Sequence, residues 1–174
     1  MKTIKFKVSD QAQSNFIVLL GNGHRFTVKS KREYNYILAA MNRKCTAWMI
    51  EANDIFIDLL VNYRRAWLLM RNNKTGYNYK AETIIYTHLE AIDNRLNHLA
   101  NRSGCDMYMY FIDMKKVLLF ARVICTELIA FYKQKNNAVM VYGVMAVEKR
   151  IMIVQNEILN YKPDYSLRVN SPND

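Results

Sequence analysis

A chain of 174 residues with 51% hydrophobic residues, five Gly and two Pro is long enough to bury one core and too poor in turn residues for a β fold built on many turns. Three cysteines with no Cys-x-x-Cys pair exclude a disulfide framework and argue against a zinc site, so free thiols in a reducing compartment are expected. The net charge of +10 is one-sided: residues 1–80 hold fourteen Lys and Arg against five acids, and residues 81–174 hold eleven against ten.

The first residues predict a β arm, residues 1–29. Ile4, Phe6 and Val8 alternate with Lys5 and Lys7, as in a half-buried strand. Residues 15–20 and 24–29 then flank Gly21-Asn22-Gly23, a tight-turn sequence, and predict a hairpin. The stretch lacks the unbroken apolar run of a secretion signal, and the longest uncharged stretches, 11–24 and 136–147, are too short to cross a bilayer. A soluble protein is expected, with no membrane partner.

Residues 30–161 predict a helical bundle. Ser30 and Glu33 form a capping box ahead of a helix through Tyr34, Ile37, Leu38 and Met41. A break is expected at 42–46, although continuity is also open because no Gly or Pro lies there. From 47 to 71 a stripe of Trp48, Ala52, Ile55, Leu59, Ala66 and Met70 has helical spacing, while Glu51, Asp54, Asp58 and Arg65 gather on a polar face. Residues 72–79 (NNKTGYNY) read as a loop, and 81–101 as a thinner amphipathic helix. The longest regular stripe, from Met107 through Tyr110, Phe111, Met114, Val117, Leu118, Ala121, Cys125, Leu128, Phe131 and Tyr132, predicts the central core helix, with Asp113, Lys116 and Lys133 off the stripe. Asn136-Asn137 ends it. A last helix carries a seam at Met140, Val144, Val147, Ile151, Val154, Ile158 and Tyr161, widened by Val141, Met145, Met152 and Leu159 to reach two neighbours. Lys162 to Asp174, bracketed by Pro163 and Pro172, reads as an extended tail. The expected fold is therefore mainly α: a four- or five-helix antiparallel bundle with an N-terminal β-hairpin and an extended C-terminal tail.

Chemistry is hard to find in this chain. His88 and His98 are ten residues apart with no ligand motif beside them, and no Glu-x-x-His pair occurs. Glu51, Asp54 and Asp58 share a face, as do Glu90 and Asp93, but a solvated polar surface accounts for both groups. Gly21-Asn22-Gly23 lacks the Gly-Lys-Ser/Thr of a phosphate loop, and Cys125 falls on the core stripe, where a thiol is inert. No catalytic residue, metal, cofactor or small-molecule substrate is expected.

The basic half is the better lead. Lys2, Lys5, Lys7, Arg25, Lys29, Lys31 and Arg32 are the candidate contacts for phosphates or an acidic partner, and Arg43, Lys44, Arg64 and Arg65 extend them. Tyr34, Tyr36, Tyr77 and Tyr79 are interleaved and read either as rings for base stacking or as core or interface tyrosines. A small basic nucleic-acid-binding protein without enzymatic activity, in dimeric form, is one reading of this patch.

The Asn-, Lys- and Tyr-rich composition, the missing enzyme motif, and a bundle over Ser30 to Tyr161 followed by the tail Lys162 to Asp174 resemble the head-to-tail connector proteins (portal adaptor or tail ring) of short-tailed bacteriophages. That resemblance implies a structural protein of the virion, assembled in the host cytoplasm. It implies a homo-oligomeric ring between portal and tail, bound to other ring proteins and in non-specific contact with DNA. It further implies that the tail, through Tyr165, Leu167, Arg168 and Val169, lies along a neighbour, and that the β arm reaches the next ring.

Overall fold

The computed structural model describes residues 16–19, 25–28, 30–72, 79–101 and 107–162. Within them the molecule is mainly helical: α1 spans Lys31–Asn72, α2 Tyr79–Asn101, α3 Met107–Gln134 and α4 Ala138–Asn160. Two short segments, β1 (Phe16–Leu19) and β2 (Arg25–Val28), pair antiparallel with Phe16 opposite Val28 and Leu19 opposite Arg25. The expected turn at Gly21-Asn22-Gly23, the strand at 4–8 and the tail beyond Lys162 lie outside the described residues.

The break expected at 42–46 is absent, and α1 is one helix of 42 residues, ~63 Å long at 1.5 Å per residue. Its buried positions stay in phase through the expected break: Met41, Cys45 and Trp48 follow Tyr34 and Ile37 and lead on to Ala52, Ile55 and Leu59. Thr46 fits the helix by donating its hydroxyl to the Asn42 carbonyl at 2.9 Å. With no Gly or Pro to interrupt it, a continuous apolar seam keeps the backbone helical. The bundle accordingly has four helices rather than five.

The helix ends follow their sequence signals. The Ser30 hydroxyl accepts from the Glu33 amide at 3.2 Å, forming the first half of the capping box. At the end of α3, Asn136 takes φ 52° and its amide donates to the Lys133 carbonyl, while the Asn137 amide donates to the Tyr132 carbonyl. This is a Schellman closure with asparagine at the left-handed position. Asn137 then caps α4, its side-chain oxygen accepting from the Met140 amide at 3.2 Å. Two adjacent asparagines thus make the sharp reversal between α3 and α4.

Three sets of contacts fix the helix directions. Tyr110 donates its hydroxyl to the Cys45 carbonyl and Tyr132 donates to the Asn62 carbonyl, so α3 runs alongside α1 in the same direction. On α4, Arg150 reaches Glu51 and Asp58 while Glu157 reaches Trp48, so α4 runs the other way. Arg95 near the end of α2 meets Asp113 near the start of α3, which sets those two antiparallel. α1 and α3 touch each other and both flanking helices, with α2 and α4 to either side. The core runs along this α1–α3 diagonal through Trp48, Leu59, Phe111, Leu118, Ile124, Leu128 and Tyr132.

Candidate functional site

Asp113, expected off the stripe of α3, is the one buried charged side chain among the described residues. It lies three residues after Tyr110 and four before Val117, within the buried phase of the helix. Arg95 donates to it at 2.9 Å, and the Nδ1 of His98 stands 3.7 Å from its other oxygen. The Arg95 guanidinium also lies over the Phe120 ring, 5.6 Å from its centre, and the His88 ring meets the same ring edge-on at 5.4 Å. His88 is further tied to the Ile84 carbonyl at 2.7 Å. These groups close a polar seam between α2 and α3, and the described residues contain no group of three or more His, Cys, Asp or Glu able to hold a metal.

The carboxylates of α1 are engaged rather than freely solvated, which corrects the expectation for two of the three. Glu51 and Asp58 are seven residues apart, about two helical turns, and therefore share a face. Arg150 forks between them, with its Nε donating to Glu51 at 2.7 Å and an Nη donating to Asp58. The hydrogen bond to Glu51, with that to Asp58, holds the Arg150 guanidinium above its already high usual pKa against the lowering effect of burial. Asp54 remains exposed. Arg150 was missed in the sequence, where it only closes the charged run Glu148-Lys149-Arg150 of α4.

Beside this fork a cleft of about 280 Å³ opens between α1 and α4, lined by Trp48, Glu51, Arg150, Val154 and Glu157 among others. Its volume falls just below the roughly 300–1,000 Å³ of small-molecule sites. The Trp48 indole donates to Glu157 at 2.9 Å, and Arg150 is held by its two acids. The polar groups of the cleft are thus spent on one another, leaving no convergent set aimed at a ligand. Among the described residues the thiols offer no nucleophile: Cys45 and Cys125 are buried, and burial pushes Cys125 up to about 12, with Glu148 adding to the rise.

The candidate cations divide. Lys31, Arg32, Arg43, Lys44, Arg64 and Arg65 are exposed along α1, and Arg25 opens β2. Lys2, Lys5, Lys7 and Lys29 lie outside the described residues, as do Tyr165, Leu167, Arg168 and Val169 of the tail. Of the tyrosines, Tyr79 is exposed and Tyr36 partly so, but Tyr34 is buried in the core and offers no ring for stacking, because it begins the inward seam of α1. Tyr77 lies outside the described residues.

The surface feature that stands out is apolar. Ile50, Ile57, Val61 and Leu68 project from α1, and Tyr142, Met145, Met152 and Leu159 from α4, all more than two-fifths exposed. The seam of α4 packs inward at Val141, Val144, Val147, Ile151, Val154 and Ile158. Of the residues expected to widen it, Val141 is buried, whereas Met145, Met152 and Leu159 stay about half exposed. No helix among the described residues is long and apolar enough to cross a membrane. Compared with protein-family models, curated proteins and solved structures, the chain matches none.

Proposed function

We propose that the chain is a non-enzymatic assembly subunit of the kind the connector resemblance describes, a structural protein of a virion that binds copies of itself and neighbouring ring proteins. The observation that carries this reading is apolar surface left mostly on α1 and α4 of an otherwise closed bundle. A helix whose core seam is already satisfied gains nothing in isolation from Ile50, Ile57, Val61 and Leu68 on its outer side. Such residues lower the free energy only when another surface covers them. The saturated cleft and buried thiols support the same reading.

The exposed cations of α1 support a second reading, sequence-independent binding of nucleic acid. Native mass spectrometry of the full chain, with and without a short DNA duplex, separates the two. The assembly reading expects homo-oligomers whose stoichiometry ignores the duplex. A monomer that forms a discrete complex with the duplex, and loses it when Arg25, Lys29 and Arg32 are neutralised, would replace it with the second reading.

A further inference from the structure

α1 carries a second seam, turned away from the core. Ile50, Ile57, Val61 and Leu68 are 59, 55, 43 and 46% exposed, and the exposed Asp54 and Arg64 fall between them. Taken in order, 50, 54, 57, 61, 64 and 68 are separated by four, three, four, three and four residues, the alternation of a coiled-coil seam. The pattern is also self-complementary. It reads apolar, acid, apolar, apolar, base, apolar from one end, and the same from the other with acid and base exchanged.

That symmetry selects one docking geometry. When an identical helix is laid antiparallel along the seam, Ile50 faces Leu68 of the partner subunit, Asp54 faces Arg64 of the partner subunit, and Ile57 faces Val61 of the partner subunit. The two-fold axis repeats all three layers in reverse. All apolar residues meet apolar residues, and both charges meet their opposites. A parallel pair sets Asp54 against its own copy and Arg64 against its own copy, which like-charge repulsion disfavours. Sliding the antiparallel pair by one heptad sets Asp54 against Ile57 of the partner subunit in one direction, or Arg64 against Val61 of the partner subunit in the other. Within one bundle neither charge has a use: among the described residues, Asp54 and Arg64 belong to none of the ion pairs.

We propose that a second copy of this chain docks on the outer face of α1 as an antiparallel two-fold pair centred between Ile57 and Val61. The proposal rests on the assembly reading and names its partner, a second copy, and its register. An isologous contact closes a pair and cannot by itself build a ring. A ring would need another face, and Met145, Met152 and Leu159 on α4 lie outside the α1 seam.

The test uses the full chain carrying Cys105→Ser, since Cys45 and Cys125 are already buried. Ile50→Cys and Leu68→Cys variants are purified separately, mixed and oxidised mildly. The proposal expects a disulfide between the two variants and none within either alone, because like positions then stand ~27 Å apart along the helix. In sedimentation runs, Asp54→Arg and Arg64→Asp each weaken self-association about tenfold, and the double exchange restores it, as two symmetry-related exposed ion pairs require. Thermal melts confirm that each surface variant is folded. Self-linking by Ile50→Cys, no linking in the mixture, or failure of the double exchange to restore association would overturn this geometry. An oligomer that survives with any of those results keeps the assembly reading while rejecting the α1 pair.

Discussion

At the scale of single residues, burial dictates protonation more than charge does. Cys125 is fully enclosed on α3, and its thiol is pushed up from 9.0 to about 12. Tyr132 is pushed up from 10.0 to about 12, again by burial, and its proton is committed to the Asn62 carbonyl at 2.9 Å. The direction of the linkage follows. Below about pH 8 both groups are protonated whether folded or not, and stability is unaffected by pH on their account. Between pH 9 and 12 the unfolded chain releases these protons and the folded chain keeps them, so stability falls as pH rises. On their account urea midpoints should stay level from pH 7 to 8 and drop increasingly above that, with Cys125 contributing up to about 1.4 kcal/mol per pH unit. Cys125→Ala should lower stability at pH 8 by removing packed volume, yet show a shallower decline between pH 9 and 11. Parallel declines in parent and variant would rule out the thiol as a source of the alkaline loss.

At the scale of elements, α2 packs on α3 through its apolar face, and an asymmetric ion pair joins them at one end. Asp113 has a side chain 7% exposed, whereas Arg95 is 32% exposed and can turn to water. Removing the arginine strands a buried carboxylate that, among the described residues, only His98 approaches, at 3.7 Å. Removing the carboxylate charge leaves an arginine that solvent can satisfy. Arg95→Met should therefore cost about 3 kcal/mol and Asp113→Asn distinctly less, with the double variant less damaging than Arg95→Met alone. Denaturant titration of the four proteins checks this order, and equal losses from the two single changes would remove the asymmetry.

These elements also show how far sequence reading reaches. Periodicity found the inward seams of α3 and α4 because apolar side chains at spacings of three and four have one low-energy arrangement, inside. Paired asparagines at 136–137 were legible because few residues tolerate a positive φ. Continuity of α1 was not legible, since the absence of Gly and Pro permits a helix without requiring one, and only packing across Met41, Cys45 and Trp48 decides it. Arg150 and Asp113 escaped for a related reason. Their roles depend on partners 92 to 99 and 18 residues away, and no local pattern records such pairings. The outward seam of α1 was in the sequence throughout, but it becomes visible only after the other side of the helix has been assigned to the core.

At the scale of the whole molecule, the net charge of +10 makes copies of the chain repel one another, and that repulsion separates the two functional readings by the sign of a salt effect. Two such molecules in contact lose on the order of 2 kcal/mol of mutual repulsion as ionic strength rises from 50 to 300 mM, judged by Coulomb's law with Debye screening. Against this stand the Asp54–Arg64 pairs of the proposed interface, exposed contacts worth roughly 0–1 kcal/mol each, of which salt removes only a part. The apolar layers formed by Ile50, Ile57, Val61 and Leu68 are little affected over this range. Repulsion is the larger salt-sensitive quantity, so self-association should tighten, by roughly tenfold, between 50 and 300 mM salt. Nucleic-acid binding through the α1 cations has the opposite slope, because each neutralised phosphate releases a counterion and added salt reverses that gain. Sedimentation equilibrium across the series, with fluorescence titration of a labelled duplex in parallel, reads both slopes on one preparation. Dimerisation that weakens steeply with salt would show that charge pairs rather than the apolar layers hold the copies together, and the seam on α1 would then no longer account for the assembly.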